Sequence, residues 1–254
     1  MSQFSCFGVV HLLPLPGTPY AQHSFLSIVE RALHDADVIH SAGFQGLVLE
    51  NFGDAPFVSS SVEPHIVASM THIASQIRNR FPQLRMGINI LRNDARSAMA
   101  VASIVGAEFI RVNVHTGSAW TDQGLIEGKA YDTLMYRRQL GSSVQIAADI
   151  LVKHASPAGR SDLCDLAIDT HLRGGAETLI LTGARTGAIT EVQDIYRLRV
   201  VLPHVPIWVG SGVTPENFTS YTEYASGAII GSYLHEEGKL DRPLSLDRAK
   251  QFSL

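Results

Sequence analysis

The sequence predicts an α/β fold, a single closed (β/α)8 TIM-type barrel spanning residues 1–254. Three observations carry that expectation. Short runs rich in Val, Ile and Leu alternate eight times with longer segments of helical period, the pattern of repeated βα units around a parallel sheet. The length of 254 residues is what one such barrel takes as one domain, about 250. Late in the chain, Ile207-Trp208-Val209 runs into Gly210-Ser211-Gly212, and Ala228-Ile229-Ile230 runs into Gly231-Ser232. Barrels commonly build a phosphate site from the loops after strands seven and eight, because glycine lets backbone N–H groups approach an anion.

Taken in order, the strand runs centre on Phe7 to Val10, Leu47 to Leu49, Met86 to Ile90, Phe109 to Val112, Val144 to Ile150, Thr178 to Leu181, Ile207 to Val209 and Ala228 to Ile230. After the first run, Phe25, Ile28, Val29, Ala32, Leu33, Ala36 and Ile39 share one helical face, with Ser24 placed as N-cap and Gly43 just past the end. The next helix, around Ile66, Met70, Ile73 and Ile77, stops before Pro82. The longest connection, about 115–131, contains Gly117, Gly124 and Gly128 and is expected to be a lid or binding loop at the mouth. Thr214-Pro215-Glu216 reads as N-cap, first-turn proline and acidic first turn. The rival architecture, a doubly wound open sheet, would need a third glycine where Val213-Thr214-Pro215 stands, and its turn would follow the first strand.

Composition narrows the function classes. With 45% hydrophobic and 17% charged residues the chain can bury a sizeable core, and a net charge of −4 provides no general basic field for nucleic acid. No stretch approaches the roughly 20 apolar residues needed to span a membrane. Cys6 and Cys164 are too few for a disulfide framework, and no basic segment leads into an apolar run at the N-terminus, so a soluble, cytoplasmic protein is expected. The histidines include no His-Glu-x-x-His pair, the cysteines lack zinc-site spacing, and no Gly-x-Ser-x-Gly elbow occurs.

Polar residues collect at the C-terminal ends of the predicted strands, where barrel enzymes keep their chemistry. They are His11, Glu50 with Asn51, Asn89, Arg111 with Asn113, Asp149 with Lys153, and Thr182. A barrel built only for stability would fill such positions with branched aliphatics, because buried charge is costly unless paired. Glu50 and Asp149 suit general acid/base work or metal ligation, or alternatively a structural ion network with Arg111 and Lys153. Lys153 and His11 join them as catalytic candidates, Lys153 chiefly through its charge. Asn89, Arg111, Asn113, Thr182 and Arg185 are expected to bind substrate, the last two from the turn Thr182-Gly183-Ala184-Arg185-Thr186-Gly187. Gly210, Ser211, Gly212, Gly231 and Ser232 are expected to hold the phosphate. Glu50 and Asp54, on one short loop, could together hold a divalent cation such as Mg²⁺, against the alternative of a turn aspartate bonding its own backbone. The cofactor is otherwise left open.

Several segments together resemble the BtpA family, which includes SgcQ-type proteins. They are His11-Leu12 with Pro14-Leu15-Pro16-Gly17, Glu50-Asn51-Phe52-Gly53-Asp54, Gly87-Ile88-Asn89, Arg111-Val112-Asn113-Val114, Ala148-Asp149 with Val152-Lys153-His154, Thr182-Gly183 with Thr186-Gly187, and Gly210-Ser211-Gly212-Val213-Thr214. The resemblance covers nearly the whole chain and implies a TIM-type barrel of the ribulose-phosphate-binding kind. It also implies a divided background: cyanobacterial members are associated with accumulation or stability of photosystem I, and relatives elsewhere sit in sugar-related settings. One departure stands out. Where the family often continues after the last glycine-serine turn with Leu-Lys, this chain has Leu234-His235-Glu236-Glu237, which removes a cation near the expected phosphate.

The expectation is therefore an enzyme acting on a small phosphorylated sugar or nucleoside-like metabolite. Lyase, isomerase and glycosidic hydrolase chemistry all fit a ring of carboxylates with a lysine. The expected partner is the small phosphorylated ligand, with no nucleic acid, no membrane, and a homo-oligomer left open. The alternative class is a non-catalytic assembly or stability factor of the photosystem I biogenesis type.

Overall fold

The eight apolar runs pair as eight parallel strands: β1 Ser5–His11, β2 Gly46–Glu50, β3 Arg85–Asn89, β4 Phe109–Val112, β5 Gln145–Asp149, β6 Thr178–Leu181, β7 Ile207–Val209 and β8 Gly227–Ile230. In this computed structural model, which describes residues 4–150, 156–157, 159, 162–183 and 190–252, they close in the order β1-β8-β7-β6-β5-β4-β3-β2. Each strand is followed by a helix: α1 Phe25–Ser41, α2 Pro64–Arg80, α3 Ala95–Val105, α4 Ala130–Gln139, α5 Leu163–Ile168, α6 Val192–Val201, α7 Pro215–Tyr221 and α8 Leu246–Ala249. The predicted (β/α)8 barrel is therefore the fold. No helix among the described residues is long and apolar enough to cross a membrane.

Local chemistry sets the helix ends. Ser24 caps α1 by accepting from the Ser27 N–H, and α2 stops at Arg80, two residues before Pro82. Thr214 opens α7 in a reciprocal capping box with Asn217, whose side chain accepts from the Thr214 N–H at 2.9 Å and donates to the Gly212 carbonyl at 2.7 Å. That pair of bonds fixes the shape of the turn after β7.

The core divides into a shell between strands and helices and a smaller cluster inside the barrel. The inner cluster contains Phe7, Val9, Val48, Phe109, Ala147, Ile180, Trp208 and Ile229. Phe7 meets Phe109 edge-on at 5.4 Å and lies 4.6 Å from the Trp208 ring, which in turn meets Phe109 edge-on at 5.1 Å. Each such aromatic contact adds about 0.5–1.5 kcal/mol beyond its buried area. Three rings thus fill the barrel below its mouth.

The segment expected as a loop over 115–131 is partly regular. Ser118–Thr121 and Gly124–Glu127 form an antiparallel hairpin, and Ser156–Pro157 pairs with its first strand. Alternation explains it: Ala119 and Ile126 turn inward onto Val114, while their neighbours Trp120 and Leu125 are exposed.

Candidate functional site

Side chains of a strand alternate faces, so a residue two positions beyond an inward core residue also points into the barrel. His11 follows Val9, Glu50 follows Val48, Arg111 follows Phe109, Asp149 follows Ala147, Thr182 follows Ile180, Gly210 follows Trp208, and Gly231 follows Ile229. His11, Glu50, Arg111, Asp149 and Thr182 of the polar ring read from the sequence accordingly belong to the uppermost inward layer of the barrel. Above it lies a cavity of about 450 Å³, lined by His11, Glu50, Arg111, Asn113, Asp149 and both glycine-serine turns. Phe52, Phe57 and Tyr233 give it an aromatic edge, and Asp122, at the tip of the hairpin, reaches it from above.

At the floor, Arg111 forms a two-pronged pair with Asp149: Nε to Oδ1 and Nη2 to Oδ2, each at 3.1 Å. Its Nη1 lies 3.7 Å from Glu50 Oε2. Burial alone would weaken the guanidinium charge, but the adjoining Asp149 and Glu50 carboxylates outweigh it and hold the arginine above its usual pKa. Asn89 donates to Glu50 Oε2 at 3.0 Å and Asn113 donates to Asp149 Oδ2 at 2.9 Å. The two asparagines thus orient the carboxylates themselves, and Asn89 does not line the cavity. Both Asp149 oxygens are engaged, whereas the bonds to Glu50 converge on Oε2. Asn113 Oδ1 is buried without a partner.

On the opposite wall, the Gly210 N–H donates to the Leu181 carbonyl at 2.9 Å, so that amide continues the sheet and is not free for an anion. Gly210 contributes to the wall by lacking a side chain: a Cβ there would stand 2.5 Å from Ile180 Cγ2. The N–H groups of Ser211, Gly212 and Ser232 make no main-chain hydrogen bond in the described loops. Gly212 has φ 64°, the left-handed region that favours glycine. The Ser211 hydroxyl is buried and unpartnered at the same wall. Buried polar groups are rarely left unsatisfied, and two residues of one cavity wall that each hold such a group mark it as a place built for polar contact.

His11 enters from β1. Its Nδ1 lies 2.9 Å from Nε2 of His235, a fully buried residue whose own Nδ1 lies 2.6 Å from the Arg242 carbonyl. The loss of a cation at His235 seen in the sequence is thus also the gain of a contact to His11. Nothing in the chain's linear pattern signalled it.

Two expected site residues stand elsewhere, and two more fall outside the described residues. Asp54 lines a different cavity from Glu50: its Oδ1 accepts from the Leu15 N–H at 2.8 Å and its Oδ2 from Asn51 Nδ2 at 2.9 Å, bracing the loop after β1. Asp54 lines a separate small cleft with Gly17, Pro56 and His65, and burial pushes its carboxyl above the usual range. Among the described residues no group of three or more His, Cys, Asp or Glu is arranged to hold a metal ion. Thr182 is buried beside Gly210 but does not line the cavity. Lys153 and Arg185 lie outside the described residues.

Known proteins share this framework. Over 245 residues the chain is 42% identical to the photosystem I biogenesis protein BtpA of Synechocystis sp., covering 96% of this chain and 85% of that protein. An uncharacterized protein of Pyrococcus furiosus is also 42% identical, with 96% and 91% covered. Among solved structures, phosphoribosyl anthranilate isomerase from Thermus thermophilus superposes with a TM-score of 0.58 at 11% identity, covering 98% of this chain and 96% of that one, a likeness of fold alone. The BtpA family model matches residues 3–253, and the chain belongs to the BtpA family.

Proposed function

We propose that the chain is an enzyme acting on a small phosphorylated sugar or nucleoside-like metabolite, with the phosphate held at the β7 and β8 turns. One observation carries the reading: Ser211 and Asn113 line the same cavity, and each holds a buried polar atom, Oγ and Oδ1, without a hydrogen-bond partner. In this reading the N–H groups of Ser211, Gly212 and Ser232 bind the anion, since main-chain amides in a glycine turn concentrate positive potential. Asn113 Oδ1 accepts from a hydroxyl or amine of the ligand.

Proton transfer falls to Glu50, because Asp149 has both oxygens tied to Arg111 and Asn113. Asp149 and Asn89 then act as positioning residues, one for Arg111 and one for Glu50. Arg111, held charged in a buried site, stabilises negative charge that develops on the substrate as Glu50 takes its proton. Proton removal beside a fixed cation is a step shared by carbon–carbon lyases and isomerases; a glycosidic hydrolase would use Glu50 as proton donor instead.

The test is a thermal-shift series with inorganic phosphate and phosphorylated sugars and nucleotides, with and without divalent cations. A ligand at 100 times its Kd adds about 2.7 kcal/mol to the folded state. The expected result is stabilisation by a phosphorylated compound that Ser211→Asp abolishes, because the new carboxylate repels the anion. No stabilisation of the parent chain by any such compound, or an undiminished shift in Ser211→Asp, would overturn the reading.

A second reading is a non-catalytic assembly factor, favoured by the biogenesis name of the Synechocystis relative. The equally similar archaeal relative argues for a role not tied to photosynthesis. Complementation by Glu50→Gln and Asp149→Asn variants separates the two, since an assembly factor tolerates both.

A further inference from the structure

His235 sits where no cavity-lining role draws attention to it. Its ring is fully buried, its main chain bridges Leu244, and its Nδ1 lies 2.6 Å from the Arg242 carbonyl, which also takes the Arg31 guanidinium. A carbonyl can only accept, so His235 Nδ1 carries a proton and donates it. Burial, first among the influences on this ring, lowers its pKa, and the surrounding charges are divided: Asp35 and Asp241 favour the charged form while Arg31 opposes it. Asp35 is itself committed to Arg31, His34 and the Leu244 N–H. The neutral ring with its proton on Nδ1 has a bare Nε2, which can only accept. Facing it at 2.9 Å, His11 Nδ1 must therefore be the donor.

We propose that His235 is a positioning residue that fixes the tautomer of His11, holding its proton on Nδ1 and leaving the lone pair of the His11 ring on Nε2, the nitrogen near Gly231 at the cavity edge. A Cβ added at Gly231 would stand 3.0 Å from His11 Cε1 and 3.4 Å from Nε2, so glycine there keeps this edge of the ring uncrowded. The ring order is carbonyl, His235, His11, cavity, the arrangement by which a buried acceptor orients a catalytic imidazole. In its neutral form His11 then offers the site a hydrogen-bond acceptor or base at Nε2, beside the proposed anion. The inference rests on the proposed function only in what His11 does for a ligand; the tautomer itself does not depend on it.

Histidine-labelled full-length protein, read by long-range ¹H–¹⁵N spectra at neutral pH with His11→Gln as the assignment control, tests it. The expected pattern is a protonated-type shift at Nδ1 of His11 and an unprotonated-type shift at Nε2. His235→Gln, whose amide oxygen can still accept, retains that pattern, and His235→Leu moves His11 toward the Nε2-protonated form. An Nε2-protonated His11 in the parent chain, or an unchanged pattern in folded His235→Leu, would overturn the proposal. If His235→Leu does not fold, the parent and His235→Gln spectra decide alone: loss of the Nδ1-protonated pattern in His235→Gln counts against it. The phosphate thermal shift reads the anion site separately, so failure there leaves the tautomer result standing.

Discussion

Replacing Arg111 by Met keeps an apolar stem of similar length and deletes the cation that Glu50 and Asp149 both contact. Both carboxylates are more than nine-tenths buried, and the substitution removes two hydrogen bonds of 3.1 Å and an ion contact of 3.7 Å. Taking one partner from a buried ion pair costs about 3–5 kcal/mol, because the remaining charge is left without compensation. For a domain of this size, 1 kcal/mol is about 2–4 °C in Tm, so Arg111→Met should melt about 6–20 °C below the parent. Urea denaturation followed by circular dichroism gives the free energy directly. The double variant Arg111→Met with Asp149→Asn should recover part of the loss, since it withdraws one of the stranded charges. A loss under about 1 kcal/mol, the scale of an exposed pair, would refute the assignment of Arg111 as the buried centre of the site.

Other outcomes follow from the same geometry. Glu50→Gln should retain the phosphate-induced thermal shift yet lose turnover of whatever substrate that screen identifies; full activity in this variant would remove Glu50 from proton transfer. His235 and His115 are both held below the ordinary histidine value of 6.5, chiefly by burial. The unfolded chain therefore binds more protons than the folded one as pH falls below about 6.5, and stability should drop through the window beneath that value while staying level above it. A Tm profile from pH 8 to 5 checks this, and His235→Gln should flatten the slope. Of the two thiols, Cys6 is buried and pushed up to about 12 by burial, while Cys164 is partly exposed. A thiol reagent at neutral pH should modify Cys164 in the native protein and reach Cys6 only on unfolding.

Much of this was legible in the residues because the βα period and the strand-end polar ring are local patterns. Parity along each strand is enough to say that Glu50 and Asp149 rise into the mouth together. Which atoms they meet was not legible, because partners come from register between distant strands: Glu50 stands opposite Asn89 across β2 and β3, 39 residues away. The contact between His11 and His235 spans 224 residues and exists only because closure seats β1 beside β8. Asp54 shows the converse. Its place after Gly53 suggested either a turn residue or a ligand, and the deciding partner, the Leu15 N–H, belongs to another loop. The hairpin over Ser118–Glu127 was hidden by its glycines, although Ala119 and Ile126 already carried the inward half of an alternating pattern.

The packed rings of Phe7, Phe109 and Trp208 turn the mouth into a blind well. Whatever enters has no exit on the far side and must leave through the doorway it came by. For the proposed reaction, product and the next substrate therefore contend for one passage, and accumulated product should slow turnover by occupying it.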